Sequence, residues 1–369
     1  MPAIKTALIA GGGIAGMSAA ISLASAGVEV TMIDKDPQWR VYGAGITITG
    51  PTLRVMEQLG VLDAVLAEGW TADGILACDA AGNVVSEIDT SHASGGIPGA
   101  GGIMRPTLHK MLQAQVHKAN VKVVLGIAVA QLSGQDVTFD DGSKGTFDLI
   151  VGADGIFSDM RAKVFDEVPA PRYVGQLCWR LMCDRHPQID RRTYFLGGPV
   201  KLGMNPVAPD KMYMFLLEPS AEMEIIPDDV LAGRLSGLME GFGGAVADVR
   251  SAISAESSIV VRPLETIFVP DRWHRGKVLL IGDAAHATTP QLASGAGMAM
   301  EDGVVLGEVI ATNDTLAEAL DAFMARRLSR CSLVVDKSLE LGRLERAGTG
   351  PVEQIKVVEE ALATLNGPY

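Results

Sequence analysis

Gly11, Gly13 and Gly16 stand in G-x-G-x-x-G spacing, and Asp34 follows eighteen residues after the last of them. Each glycine in such a set has its own use. The first permits a tight turn, the second lets the backbone approach a pyrophosphate, and the third lets a helix pack closely on a strand. The helix N-terminus then offers unpaired N–H groups to the phosphates. An acid at the end of the following strand accepts hydrogen bonds from the ribose of an adenosine half. G-x-G recurs at Gly43/Gly45, Gly99/Gly101, Gly241/Gly243 and Gly295/Gly297, but only the first instance has a strand before it, a helix behind it and an acid at the right distance. The chemistry is that of a dinucleotide site, and the spacing alone does not separate NAD from FAD.

These residues need elements to hold them. Residues 4–10 (IKTALIA) read as a strand, 17–26 as a helix stopped by Gly27, and 28–33 as a second strand with Val28, Val30 and Met32 on one face. Together they form a βαβ unit. Residues 148–151 (DLIV) and 277–281 (KVLLI) read as further buried strands. The first runs into Gly152-Ala153-Asp154-Gly155, with Arg161 beyond. The second runs into Gly282-Asp283-Ala284-Ala285-His286, with Pro290 and Gly295-Ala296-Gly297 behind. Ligands of an open parallel sheet gather outside the carboxyl ends of its strands. Asp283 is therefore expected to accept hydrogen bonds from a polyol chain continuing past the pyrophosphate, and only a flavin dinucleotide has one.

Between these pieces lie β-like segments at 176–182, 193–196 and 211–217, while 314–345 reads as helix from Leu316, Leu320, Phe323 and Leu328. The stretch 94–102 (SGGIPGAGG) reads as a Gly-rich loop. The expected fold is α/β: a Rossmann-like dinucleotide domain (residues 1–70, 103–168 and 270–369, with C-terminal helices) interleaved with a smaller mixed-sheet substrate domain (71–102 and 169–269).

Composition narrows the function. At 369 residues, 48% hydrophobic and 20% charged, the chain folds and is not disordered. A formal charge of −13 disfavours nucleic acid as a partner. Cys78, Cys178, Cys183 and Cys331 form neither a CxxC pair nor a disulfide framework, so a reducing compartment and no metal site are expected. Residues 6–28 carry no charge, but five glycines and three serines make them a poor apolar helix. No membrane association and a cytoplasmic location are the expectations.

The sequence resembles the class A FAD-dependent aromatic hydroxylases, the p-hydroxybenzoate/salicylate hydroxylase-like flavoprotein monooxygenases. The resemblance rests on GGGIAG at 11–16, Asp34, GAGI at 43–46, Arg105 in MRPTLHKML, GADG at 152–155, and GDAAHATTP at 282–290 with Glu301-Asp302. It implies FAD as cofactor, NADH or NADPH and dioxygen as co-substrates, and a small aromatic or N-heteroaromatic ring hydroxylated through a flavin hydroperoxide by a monomer or homodimer. It also implies roles. Arg105 touches the pyrophosphate region, Asp154 belongs to a turn serving FAD and NAD(P)H, and Asp283 binds the ribityl chain. Val129 faces the adenine, the N–H groups of Ala296 and Gly297 meet the flavin ring, and Pro290 sits at its reacting edge. Ala15 and Lys35 complete the expected cofactor contacts. Two departures bear on pocket shape: Ala293-Ser294-Gly295 replaces the common Gly-Gln-Gly, and Pro51-Thr52 a common Asn-Ala.

Other residues carry two readings. His286 is either a proton-transfer group or part of the binding turn. Arg180 either grips a substrate carboxylate or is a structural arginine at the domain junction, the second being preferred. Tyr194 and Tyr213 either contact a phenolic substrate or pack in the core, and Met212 and Met214 read as packing. For the whole chain, an FAD oxidoreductase without oxygen insertion and a non-catalytic flavin-binding protein stand as alternatives.

Overall fold

The computed structural model describes residues 2–41, 43–90, 96–165, 167 and 170–369. Ala7, Leu8 and Ile9 are fully buried one after another, the pattern of a strand covered on both faces. That strand, Thr6–Ala10, lies inside a six-stranded sheet ordered His274–Arg275, Val278–Leu280, Leu149–Gly152, Thr6–Ala10, Glu29–Asp34, Lys122–Leu125. Every neighbouring pair is parallel except the outermost, His274–Arg275 on Val278–Leu280. The turns after Ala10, Gly152 and Leu280 therefore emerge along one edge. Above them, helix Ile14–Ser25 packs on helix Gly295–Thr312. A Cβ on Gly303 would lie 2.5 Å from the Ala19 backbone nitrogen, so the two helices touch backbone to backbone there. Helix Leu316–Arg346 begins at a reciprocal cap between Thr315 and Glu318 and runs behind this pair.

The second large sheet has seven strands, in the order Ile259–Thr266, Arg172–Asp184, Lys211–Pro219, Lys201–Pro206, Thr193–Phe195, Ile75–Cys78, Val84–Ile88. Only the Thr193–Phe195/Ile75–Cys78 pair is parallel. Strict alternation divides its faces. Leu177, Trp179, Leu181, Met212, Met214 and Leu216 join a core under helices Leu231–Leu238 and Gly244–Ser251. Cys178, Arg180, Tyr213 and Phe215 point the other way, toward a cavity shared with the first sheet.

Two small antiparallel sheets complete the fold: Gly45–Thr49, Ala100–Met104 and Trp70–Ala72, and the meander Val129–Ser133, Asp136–Phe139, Lys144–Thr146. The first corrects the sequence reading, because the Gly-rich stretch continues from Ala100 as a strand rather than a loop; residues 94 and 95 lie outside the described residues. Its glycines give no alternation to read, and their partners are distant in sequence. The expected strand at 176–182 is also longer, Arg172–Asp184, with a register shift between Tyr173 and Leu177. All four cysteines are free, and among the described residues no helix is long and apolar enough to cross a membrane.

Candidate active site

A cavity of ≈ 400 Å³ opens between the carboxyl edge of the parallel sheet and the inward face of the seven-stranded sheet. On the first side the chain turns at Gly11, whose φ of +117° and whose fit against the Ala153 carbonyl, 2.3 Å from a would-be Cβ, admit only glycine. Gly16 packs equally closely on the Gly11 carbonyl. Gly13 faces open space, and helix Ile14–Ser25 starts there with no side-chain cap, leaving its first N–H groups for an anion. Gly13 and Ala15 line the cavity.

Across the same edge Gly282 sits at φ +59°, ψ −143°, a region essentially closed to other residues, and presents Asp283. Asp283 is solvent-exposed and lines the cavity, and its carboxylate has no hydrogen-bond partner among the described residues. Burial pushes its pKa up, against the pull of His286 and Arg105. Arg105 starts helix Arg105–Lys118 and also faces the cavity. Its own pKa is lowered by burial, with Asp283 opposing. Ala296 lines the cavity at the start of helix Gly295–Thr312, which again has no side-chain cap, while the neighbouring Gly297 packs on Thr52.

Behind this edge lies a dry ionic network. Asp302 accepts hydrogen bonds from Gly282 N (2.8 Å), His286 Nε2 (2.7 Å) and Arg327 Nε (2.8 Å). Arg327 also pairs with Glu301 at 2.7 Å, and Arg330 grips Glu301 through two bonds of 2.8 Å. Burial opposes charge on His286, but the adjoining Cys331 and Asp302 outweigh it and raise its pKa well above the usual value. His286 stacks on Trp273 at 4.8 Å between ring centres and does not line the cavity. The turn-holding reading fits this placement, and the proton-transfer reading does not.

Other expected contacts are also occupied. Asp34 takes Gly12 N–H at 2.7 Å and Asp36 N–H at 2.8 Å, so its carboxylate braces the glycine turn from below. Trp39 closes the same turn, its Nε1 donating to the Gly12 carbonyl at 2.7 Å. Asp154 accepts from Ser158 Oγ and from Met160 N at the start of helix Asp159–Val164. Val129 is buried at a strand start and Lys35 is exposed; none of these four expected residues lines the cavity.

The opposite wall combines apolar Phe215 and Val260 with Arg180, Tyr213 and Arg192, while Pro290, Thr288, Thr289 and Ala293 close one side. Tyr213 OH meets Thr47 Oγ1, to which Asn205 Nδ2 donates at 3.3 Å. Burial raises the Tyr213 pKa; Thr47, Arg192 and Arg180 oppose it. Tyr194 does not line the cavity; it meets Arg192 through its hydroxyl and Phe215 edge-on at 5.9 Å. Arg192 and Thr47 were not singled out from sequence. Nothing in the run Arg191-Arg192-Thr193 marks one arginine as surface and the other as buried until strand pairing fixes which side each faces.

The residues fit FAD. Buried polar atoms of the cavity wall lack partners, Thr289 Oγ1 and Arg192 Nε among them, alongside the unpaired Asp283 carboxylate. Two uncapped helix starts, a cation and an unpaired carboxylate form the donor and acceptor set of a pyrophosphate followed by a hydroxylated chain.

The FAD binding domain family model matches residues 5–338. Aurachin C monooxygenase/isomerase of Stigmatella aurantiaca is 32% identical over 351 residues, 92% of this chain and 89% of that protein. The 2-heptyl-3-hydroxy-4(1H)-quinolone synthase of Pseudomonas aeruginosa is 31% identical over 348 residues, with the same two coverages of 92% and 89%. The solved structure of Klebsiella pneumoniae HpxO with FAD and uric acid superposes with a TM-score of 0.82 at 26% identity, covering 98% of this chain and 92% of that one. Together with the glycine turn, the Asp283 edge and the interleaved sheets, these matches establish that the chain belongs to the FAD-dependent aromatic monooxygenases of class A.

Proposed function

We propose that the chain hydroxylates a small aromatic or N-heteroaromatic ring at the expense of NADH or NADPH and dioxygen, in the cavity between the two sheets. Asp283 carries the reading, because an unpaired carboxylate lining the cavity at the carboxyl edge of the parallel sheet stands where a ligand's hydroxyls would meet it. FAD, when bound, supplies the redox chemistry that activates dioxygen. The chain's own residues do the rest. Gly13 and the start of helix Ile14–Ser25 hold the pyrophosphate with Arg105, and Asp34 keeps the glycine turn in shape through Gly12. Ala296 and Gly297 offer N–H groups to the flavin end, and Asp154 shapes the adjoining turn by accepting from Ser158 and Met160. Phe215, Val260 and Pro290 exclude water around the ring. Tyr213, kept protonated by burial and anchored on Thr47, accepts a hydrogen bond from a ring hydroxyl and orients it.

The ring compounds in the relatives' names, a quinolone and uric acid, support this choice of substrate class. Four free cysteines suit a reducing compartment such as the cytoplasm. Labelled dioxygen tests the reading. Turnover with NAD(P)H and a panel of phenolic and hydroxypyridine compounds should leave one labelled oxygen in the product. Sustained NAD(P)H oxidation with a chemically changed but unlabelled product would instead mark a reductase or dehydrogenase on the same fold.

A further inference from the structure

We propose that Trp39 is a cofactor-positioning residue: its indole sets the peptide between Gly12 and Gly13 so that the Gly13 N–H is presented to the pyrophosphate of FAD. This concerns cofactor binding alone and holds whatever ring the chain accepts. The glycine spacing assigns no use to Gly12, and Trp39 stands outside the sequence motifs; the fold joins the two. Trp39 is 7% exposed and adopts φ +48°, a left-handed conformation that a bulky side chain rarely takes. Such a residue persists only where its surroundings over-determine it. Here its Nε1 donates to the Gly12 carbonyl at 2.7 Å, and its own carbonyl accepts from His109 Nε2 at 3.1 Å and Gln113 Nε2 at 3.3 Å. The rings of His109 and His117 meet the indole edge-on, at 6.0 and 5.9 Å between centres.

The consequence follows from peptide geometry. In a trans peptide the carbonyl and the next N–H point in opposite directions. Drawing the Gly12 oxygen to the indole therefore turns the Gly13 N–H away from Trp39. The neighbouring polar groups of the turn are already engaged: Gly11 N donates to the Ile33 carbonyl at 2.8 Å, and Gly12 N to Asp34 Oδ2 at 2.7 Å. Gly13 N makes no hydrogen bond among the described residues, and Gly13 lines the cavity with open space beside it. Peptides between glycines rotate easily, so a fixed carbonyl spares the cofactor the cost of ordering the turn. The same contact explains the middle glycine. A Cβ on Gly12 would lie 2.5 Å from Trp39 Nε1 and 3.1 Å from Asp34 Oδ2.

The test reads FAD affinity from flavin fluorescence as the loaded chain is diluted, well below its melting temperature, beside a melt of the apo form. Trp39→Phe keeps an aromatic ring between the histidines but has no N–H to donate. It should weaken FAD roughly three- to tenfold, the worth of one hydrogen bond. Gly12→Ala crowds the indole off the carbonyl and should weaken FAD by a similar factor. In a Trp39→Leu background, where the bond is already gone and the space is open, Gly12→Ala should add about twofold or less. Parent FAD affinity in Trp39→Phe, whether or not the apo melt falls, would overturn the proposal and return Trp39 to core packing. Losses that multiply in the double variant would also overturn it, since Gly12 and Trp39 would then act separately. If the Trp39→Leu background does not fold, Trp39→Phe decides alone.

Discussion

The two walls of the cavity are built by different rules. The cofactor wall is made by turns and helix starts held by backbone geometry: Gly11 at positive φ, Gly282 beside Asp283 just after its strand, and two uncapped helix starts. The opposite wall is made by alternation along paired strands. Arg180 faces Phe215 across the sheet, while Trp179 one residue earlier belongs to the far core. A turn carries its chemistry locally. A strand face acquires chemistry only once its register is set by partners tens of residues away. The cofactor wall is also braced from behind by buried charges, whereas the substrate wall leaves its charges bare toward the cavity.

That contrast can be broken most strongly at the brace. Arg327 is fully buried between Glu301 and Asp302, and its loss strands part of their charge in a dry interior. Arg327→Met should lower unfolding free energy by about 3 kcal/mol, at the low end of the range for a broken buried pair because Arg330 and His286 still compensate. FAD retention should fall with it, since Asp302 holds Gly282 N. Chemical denaturation beside flavin release measures both; an unchanged melt would show that the network is not a brace. The smallest effect lies at Ala293, which adopts φ +53°, a left-handed conformation that favours glycine. Ala293→Gly should stabilise the chain by about 0.5–1 kcal/mol by relieving a left-handed non-glycine residue, less the entropy a glycine adds to the unfolded chain. A destabilised variant would show that the alanine methyl packs usefully in the cavity wall.

The same division explains what sequence revealed. The βαβ start, the DLIV and KVLLI strands and their turns were legible because burial on both faces leaves continuous apolar runs and the turns carry glycine at fixed offsets. Helix Leu316–Arg346 was legible from its apolar spacing. The small sheet through Ala100–Met104 was not, since glycine-rich strands lack alternation and its partners come from Gly45–Thr49 and Trp70–Ala72. At the site, the residues of the turns were found, although Asp34 and Asp154 spend their carboxylates on backbone and side-chain donors nearby. Arg192, Thr47 and Thr289 were missed because only tertiary burial separates them from ordinary polar residues.

The central claim is that the cofactor wall binds FAD through a carboxylate left unpaired for it. Titrating the apo-protein with FAD, read by flavin fluorescence beside a melt of the apo form, tests this at Asp283. Charge-assisted hydrogen bonds contribute about 1.5–3 kcal/mol each, so Asp283→Ala should weaken FAD roughly ten- to a hundredfold and Asp283→Asn less, because the amide oxygen still accepts. The apo melt should hold, since the exposed carboxylate makes no hydrogen bond among the described residues whose loss would destabilise the fold. Unchanged FAD affinity in both variants with a lowered apo melt would contradict the account and make Asp283 a first-turn charge that steadies helix Asp283–His286 instead.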